Sequence, residues 1–148
     1  ILIADTFKDD NYLRPFLYHD AMQYMRFLKT IVNSLSNMSN NIIIRHRDDA
    51  IISSKYLKII FKNFSNVEIR SDGKLTDFFI KDPIVISYSS TVIFESLLFN
   101  LRTITFDLFN TGMNFLNAPN FNKTSHISKR FFYKINSIDD LKYLLCKI

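Results

Sequence analysis

Short apolar runs rich in β-branched residues alternate along this chain with stretches in which apolar residues return every three or four positions. Period two suits a strand and period 3.6 a helix, so the alternation predicts an α/β fold, a Rossmann-like parallel sheet of about six strands with helices on both faces. The strands are expected at Ile1–Ala4, Asn41–Arg45, Val67–Arg70, Ile84–Tyr88, Thr103–Phe106 and Arg130–Lys134. The longest helix is expected over Phe16–Ser36, where Met22, Met25, Leu28, Val32 and Leu35 follow one another at three- and four-residue steps behind Pro15. Ser53 or Ser54 is placed to cap a helix running to Lys62, and Ser137 to cap a terminal one whose Ile138, Leu141, Leu144 and Leu145 share a face.

Turn chemistry supplies the punctuation. Ser71-Asp72-Gly73 reads as a turn, Leu75–Ile80 as a short helix, and Asp82-Pro83 as its stop, because the residue before proline is driven out of the helical region. Asp107–Ser128 carries Asn, Gly and Pro without a sustained period and reads as a loop of about twenty residues, a length that suggests a functional role. Neither a repeat nor a linker divides the chain, so residues 1–148 read as a single Rossmann-like domain. Its opening on Ile1-Leu2-Ile3-Ala4, a core strand with no initiator Met or signal layout before it, suggests a fragment of a longer two-domain protein.

Composition narrows the class. Apolar residues make up 47% and aromatics 15%, with only two Gly, which is a globular rather than a disordered balance. No apolar run approaches the ~20 residues of a membrane span. The net charge of +5 suits an anionic ligand or membrane surface, but the basic residues are scattered, which argues against nucleic acid as a partner. A single cysteine, Cys146, leaves no intrachain disulfide or cysteine-based metal site and points to a reducing cytosol. His19 and His126 lack metal-ligand spacing, so no metal or other cofactor is expected.

The stretch Ile84-Val85-Ile86-Ser87-Tyr88-Ser89-Ser90-Thr91 carries a buried strand through hydroxyl residues straight into an apolar helix. Ligands of open α/β sheets bind at the carboxyl ends of strands, and free N–H groups at a helix start favour an anion. Ser89, Ser90 and Thr91 add hydroxyl donors, so a phosphate fits. The plainer alternative is that Ser90 or Thr91 only caps the helix. Glu95 shares the face of Thr91, four residues on, where it can accept from ribose or sugar hydroxyls; its alternative is a solvent-facing acid. Because Val92, Ile93, Phe94, Leu97, Leu98 and Phe99 cover most of its circumference, this helix is expected to be buried on several sides, and Glu95 to need a partner there.

Arg45-His46-Arg47 follows the second strand and should reach the same carboxyl edge as three converging cations. Arg45 can bind phosphate bidentately, and His46 can donate to a phosphate oxygen or, protonated, neutralise a leaving group. The alternative for His46 is a structural histidine. Lys8 and Arg14 lie where the first strand gives way to the long helix and could meet an acceptor, although most such charges are simply solvated.

Taken together, the strand, Ser-Tyr-Ser-Ser-Thr, two apolar residues, Glu95, an apolar helix and then Arg102-Thr103-Ile104-Thr105-Phe106-Asp107 resemble the C-terminal domain of GT-B transferases. These are the bacterial enzymes of capsule and surface-carbohydrate synthesis, polysialyltransferase-like and glycerophosphotransferase-like, and the likeness spans roughly Ile42 to Asp107. It implies half of a GT-B fold, with His46 in the place of the motif histidine and Ser89, Ser90 and Thr91, with Arg45, around the donor phosphate. Glu95 and Asp107 would take the ribose or sugar. Arg47 departs from the family, many of whose members have proline there.

The implied activity is glycosyltransferase-like: transfer of a sugar or polyol phosphate from a CMP-, CDP- or UDP-linked donor to a surface glycan acceptor. The implied setting is the cytoplasm at the inner face of the membrane, with peripheral membrane contact and a further N-terminal domain as partner. A non-catalytic α/β regulatory or scaffold domain, and a nucleotide-sugar epimerase-like domain, are the competing readings of the same residues.

Overall fold

The computed structural model describes residues 1–4, 21–38, 41–47, 52–87, 91–106, 131–135 and 137–147. Six strands, β1 (Leu2–Ala4), β2 (Ile42–Arg45), β3 (Val67–Arg70), β4 (Val85–Ile86), β5 (Thr103–Phe106) and β6 (Phe132–Ile135), form one sheet. All five neighbouring pairs run parallel, in the order β3-β2-β1-β4-β5-β6. Between and after them lie α1 (Ala21–Leu35), α2 (Ser54–Ile60), α3 (Leu75–Phe79), α4 (Val92–Leu98) and α5 (Ile138–Leu145). The architecture is the α/β, Rossmann-like one that the alternating pattern predicts, and every expected strand is present. The boundaries moved by only a few residues. Ile84–Tyr88, for example, contributes Val85–Ile86 as regular strand, and the last strand is shifted to Phe132–Ile135.

The sheet carries a core on each face. Ile3, Ile42, Ile44, Ile69, Ile86 and Ile104 face one way and pack with residues of α1, α2 and α5. Leu2, Ala4 and Val85 face the other way and meet Phe78 and Phe79 of α3, Leu101 and Val92. Strands covered on both sides must be apolar on successive positions, which explains runs such as Ile42-Ile43-Ile44.

Helix α1 is the main cover. Tyr24, Phe27, Leu28, Ile31 and Leu35 are fully buried, each such side chain stabilising the fold by about 1.5–3 kcal/mol. Met22, expected to head this stripe, is instead 63% exposed. At about 100° of rotation per residue, the three-residue steps Met22-Met25-Leu28 drift backwards round the helix, leaving Met22 about 140° off the centre of the buried stripe.

Helix ends follow their local chemistry. Ser53 Oγ accepts from Tyr56 N–H at the start of α2, and Ser137 Oγ accepts from Asp140 N–H at 3.1 Å at the start of α5. Asp77 receives the Lys74 N–H at 2.9 Å, fixing the entry to α3. Gly73 turns the chain before it at φ 76°, a conformation that side-chain-bearing residues resist. Asp82, at φ 47°, and Pro83 end the α3 region as expected. Asn100, at φ 57°, ends α4 by swinging the Leu101 N–H back onto Ser96 C=O at 3.0 Å.

The expectation that α4 is buried on several sides is corrected. Only Ile93 and Ser96 are fully enclosed, while Phe94, Leu98 and Phe99 are 37%, 82% and 50% exposed. A seven-residue helix rests on the sheet through a single strip, with Val92 packed at its edge and Phe94 and Leu98 turned outward.

Candidate functional site

The chain lays down β1, β2 and β3 outward in one direction and then returns to place β4 on the other side of β1. The helices that follow β1 and β4 in the chain, α1 and α4, lie on opposite faces of the sheet, and the order of the strands switches between β1 and β4. The carboxyl edge at such a switch is where open α/β sheets bind ligands.

Ser87 sits at this point. Ile3 pairs with Ile86, so Ser87 continues β4 beside Ala4, and its N–H extends the ladder to Ile104 C=O at 3.0 Å. The side chain is fully buried, and its Oγ has no hydrogen-bond partner among the described residues. Leaving a buried hydroxyl without a partner costs about 1–3 kcal/mol, so the position calls for an acceptor or donor from outside the sheet. By pattern alone Ser87 belongs to the strand Ile84–Tyr88; the signal for more is a serine closing a run of Ile-Val-Ile just before the hydroxyl cluster.

Thr91 immediately precedes α4, is exposed, and makes no capping hydrogen bond with its side chain. The plain capping role considered for Thr91 is therefore not the one it plays. Glu95 lies one turn on and is exposed, with no ion pair to another described residue. The expectation that Glu95 is buried and needs a partner there is corrected: its carboxylate is open to solvent. Behind it, Ser96 Oγ and Thr103 Oγ1 meet at 2.8 Å in the interior, with Ser96 also donating to Ile93 C=O and Thr103 to Leu101 C=O. This pair pins α4 to β5 and so holds the start of α4 above the sheet edge.

The basic cluster does not converge as expected. Successive residues of a strand point to opposite faces, and β2 keeps its ladder through His46, whose N–H donates to Arg70 C=O at 2.7 Å. Arg45 thus turns to the α3 side, His46 to the α1 side, and Arg47 is exposed. The Arg45 guanidinium lies 5.8 Å from the centre of the Phe78 ring. It donates to His46 C=O, to Ser71 C=O at 2.7 Å and to Gly73 C=O at 2.8 Å. It is a clamp on the β3–α3 turn, with Nη1 and Nη2 bonded to backbone carbonyls, while its buried Nε has no hydrogen-bond partner among the described residues.

Beside it Arg70 grips Asp72 through two contacts of 2.8 and 2.9 Å and reaches Glu68 at 3.2 Å. Hydrogen bonding to Arg70, with the nearby positive charge, lowers the Asp72 carboxyl to about 2, and hydrogen bonding to Asp72, with that carboxylate's negative charge, raises the Arg70 guanidinium above its ordinary range.

His46 is 1% exposed, an interior ring at the end of β2. The ends of β2 and β4, expected as neighbours, are separated by β1. At about 4.8 Å per strand that puts them about 10 Å apart, on the same edge of the sheet. Ser89, Ser90, Lys8, Arg14, His19 and the whole loop Asp107–Ser128, with Asp107 and His126 in it, lie outside the described residues. No helix among the described residues is long and apolar enough to cross a membrane. No protein-family model, curated protein or solved structure matches the chain.

Proposed function

We propose that this chain is the donor-binding half of a transferase that moves a sugar or polyol phosphate from a nucleotide-activated donor to a surface glycan. The observation that carries the reading is the position of Ser87. A fully buried hydroxyl with no hydrogen-bond partner among the described residues sits at the switch point of a 3-2-1-4-5-6 parallel sheet. The hydroxyl run that continues it, Ser89, Ser90 and the uncapping Thr91, suits the oxygens of a phosphate.

In this scheme the donor phosphate lies over the carboxyl ends of β1 and β4, with hydroxyl donors on the β4 side. His46, one strand beyond β1, neutralises charge on the departing nucleotide. Glu95, exposed one turn into α4, accepts from the ribose or sugar hydroxyls. Arg45 is left out of the donor site, since its guanidinium already serves three carbonyls. Catalysis would rest on orientation of the donor and stabilisation of the leaving group. The acceptor and the remaining catalytic groups would come from a further domain. The resemblance of the Ser-Tyr-Ser-Ser-Thr stretch and its surroundings to GT-B transferases favours this over a scaffold domain, for which a buried hydroxyl at the switch point has no use.

Calorimetric titration of CMP, CDP and UDP tests it, using the unaltered chain and the variants Ser90→Ala and His46→Gln, with melting curves to confirm that each variant folds. At least one nucleotide should bind, and each substitution should weaken it about tenfold, the worth of one charge-assisted hydrogen bond. Equal affinity in folded variants would remove both residues from the site, and no binding of any nucleotide would end the reading.

A further inference from the structure

Among the described residues, strand β3 stands at the end of the sheet, with β2 on one side only. Its inward hydrogen bonds are carried by alternate residues: Asn66 C=O accepts from Ile42 N–H at 2.8 Å and Arg70 C=O from His46 N–H at 2.7 Å. By that alternation Glu68 also faces β2, whereas Val67 and Ile69 direct their backbone groups outward. Val67 N–H turns back to Phe64 C=O at 3.3 Å. Ile69 is left to present an N–H and a C=O along the open edge. Beside this edge runs a groove of about 510 Å³ between α2 and β3, with Phe61, Phe64, Val67 and Ile69 at its base and Lys58 and Lys62 on its rim.

An open edge with outward backbone groups is a template for another strand, and the side chains of β3 say which. We propose that β3 pairs antiparallel with β3 of a second copy of this chain, about a twofold axis through Ile69, joining two six-stranded sheets into one. With Ile69 opposite Ile69, each copy's Ile69 N–H donates to the other's Ile69 C=O. The same register sets Glu68 directly across from Arg70 of the second copy, and Arg70 across from its Glu68. These fall at the non-hydrogen-bonded positions, where facing side chains come closest.

Charge complementarity thus arises twice from one Glu-Ile-Arg sequence, because a twofold contact uses the same patch on both sides. Glu68 and Arg70 are within reach of a second copy: their side chains are 52% and 37% exposed, and the 3.2 Å contact between them within the chain would be exchanged for the pair across the axis, Arg70 keeping Asp72. On the opposite face of the sheet, Ile69 of the second copy would meet Ile69 and the apolar base of the groove. Centring the pair at Ser71 instead would carry it into the Asp72-Gly73 bend, which is no longer strand. A contact of four residues a side is small, so the association is concentration-dependent.

The test is the mass of the chain by size-exclusion chromatography with light scattering, up to about 1 mM, the weak end of specific association. The unaltered chain should dimerise as concentration rises. Glu68→Arg sets Arg against Arg, and Arg70→Glu sets Glu against Glu, so each variant alone should dimerise about tenfold more weakly. Mixed together, the two variants restore opposite charges at both positions and should form a heterodimer about as tight as the original dimer. Hydrogen exchange on the unaltered chain gives an independent reading: the Ile69 amide should slow with concentration, while the Arg70 amide, already bonded to β2, should not. A chain that stays monomeric, a dimer indifferent to both substitutions, a mixture that gains nothing, or an Ile69 amide that exchanges equally at all concentrations would each overturn the proposal.

Discussion

Replacing Arg45 with alanine removes the clamp on the β3–α3 turn, and the structure allows its cost to be worked out. The guanidinium makes two donor contacts of ordinary length across the turn, 2.7 Å to Ser71 C=O and 2.8 Å to Gly73 C=O, besides one to the adjacent His46 C=O. A hydrogen bond with one charged partner is worth about 1.5–3 kcal/mol, so the two cross-turn bonds amount to roughly 3 kcal/mol or more. Water can reach the exposed Asp72-Gly73 bend and replace part of this, which brings the expectation down to about 2 kcal/mol. Stacking of the guanidinium on Phe78 adds about 0.5–1 kcal/mol.

Arg45→Ala should therefore lower the stability by about 2–3 kcal/mol, and the Tm by about 6–10 °C for a chain of this size. Arg45→Lys retains the charge but cannot span several carbonyls with a planar fork, and should recover less than half of the loss. Urea unfolding followed by circular dichroism measures both variants. If Arg45→Ala costs less than about 0.5 kcal/mol, a typical change for a surface residue, the clamp does not hold the turn. If it leaves stability untouched but abolishes nucleotide binding, the guanidinium belongs to the donor site after all.

Three further substitutions probe one surface pair and one interior pair. Asp72 has its carboxyl lowered from 3.8 to about 2 by Arg70. The folded state thus binds the proton less readily than the unfolded one, so this group's contribution is complete above pH 3.8 and lost as pH falls through about 2. Asp72→Asn should flatten that part of the urea-midpoint profile while leaving the neutral region almost unchanged, because the pair is solvent-exposed; an unaltered acid limb would show that the pair does not form in solution. Inside the molecule, Ser96→Ala leaves Thr103 with only its bond to Leu101 and should cost about 1 kcal/mol, as should Thr103→Val. The double variant should lose less than the sum of the two, by about 0.5–1 kcal/mol, and strict additivity would show that the two hydroxyls do not interact.

Much of the architecture could be read directly because it depends on short-range pattern. Ile42-Ile43-Ile44 can only be a strand covered on both faces, Ser53 and Ser137 cap the helices they precede, and Asp82-Pro83 stops α3. The candidate site was legible as a set of strand ends and not as a geometry. Ser87, Thr91 and His46 do lie on the carboxyl edge, yet adjacency along the chain suggested that Arg45, His46 and Arg47 act together, whereas strand alternation sends them different ways. Ser87 was passed over because nothing local distinguishes a buried hydroxyl that lacks a partner from one that has found a neighbour.

What the amino-acid order determined by itself was therefore the kind and sequence of the elements: period, capping and turn chemistry act within a few residues and need no knowledge of the rest of the chain. Only the tertiary structure decided that β1 separates β2 from β4, that α4 leaves Phe94 and Leu98 outside, and that Arg45 spends its donors on Ser71 and Gly73. Those outcomes depend on which surfaces remain to be covered once the sheet has assembled. They are set by contacts between residues distant in the chain, about which the local pattern carries no information.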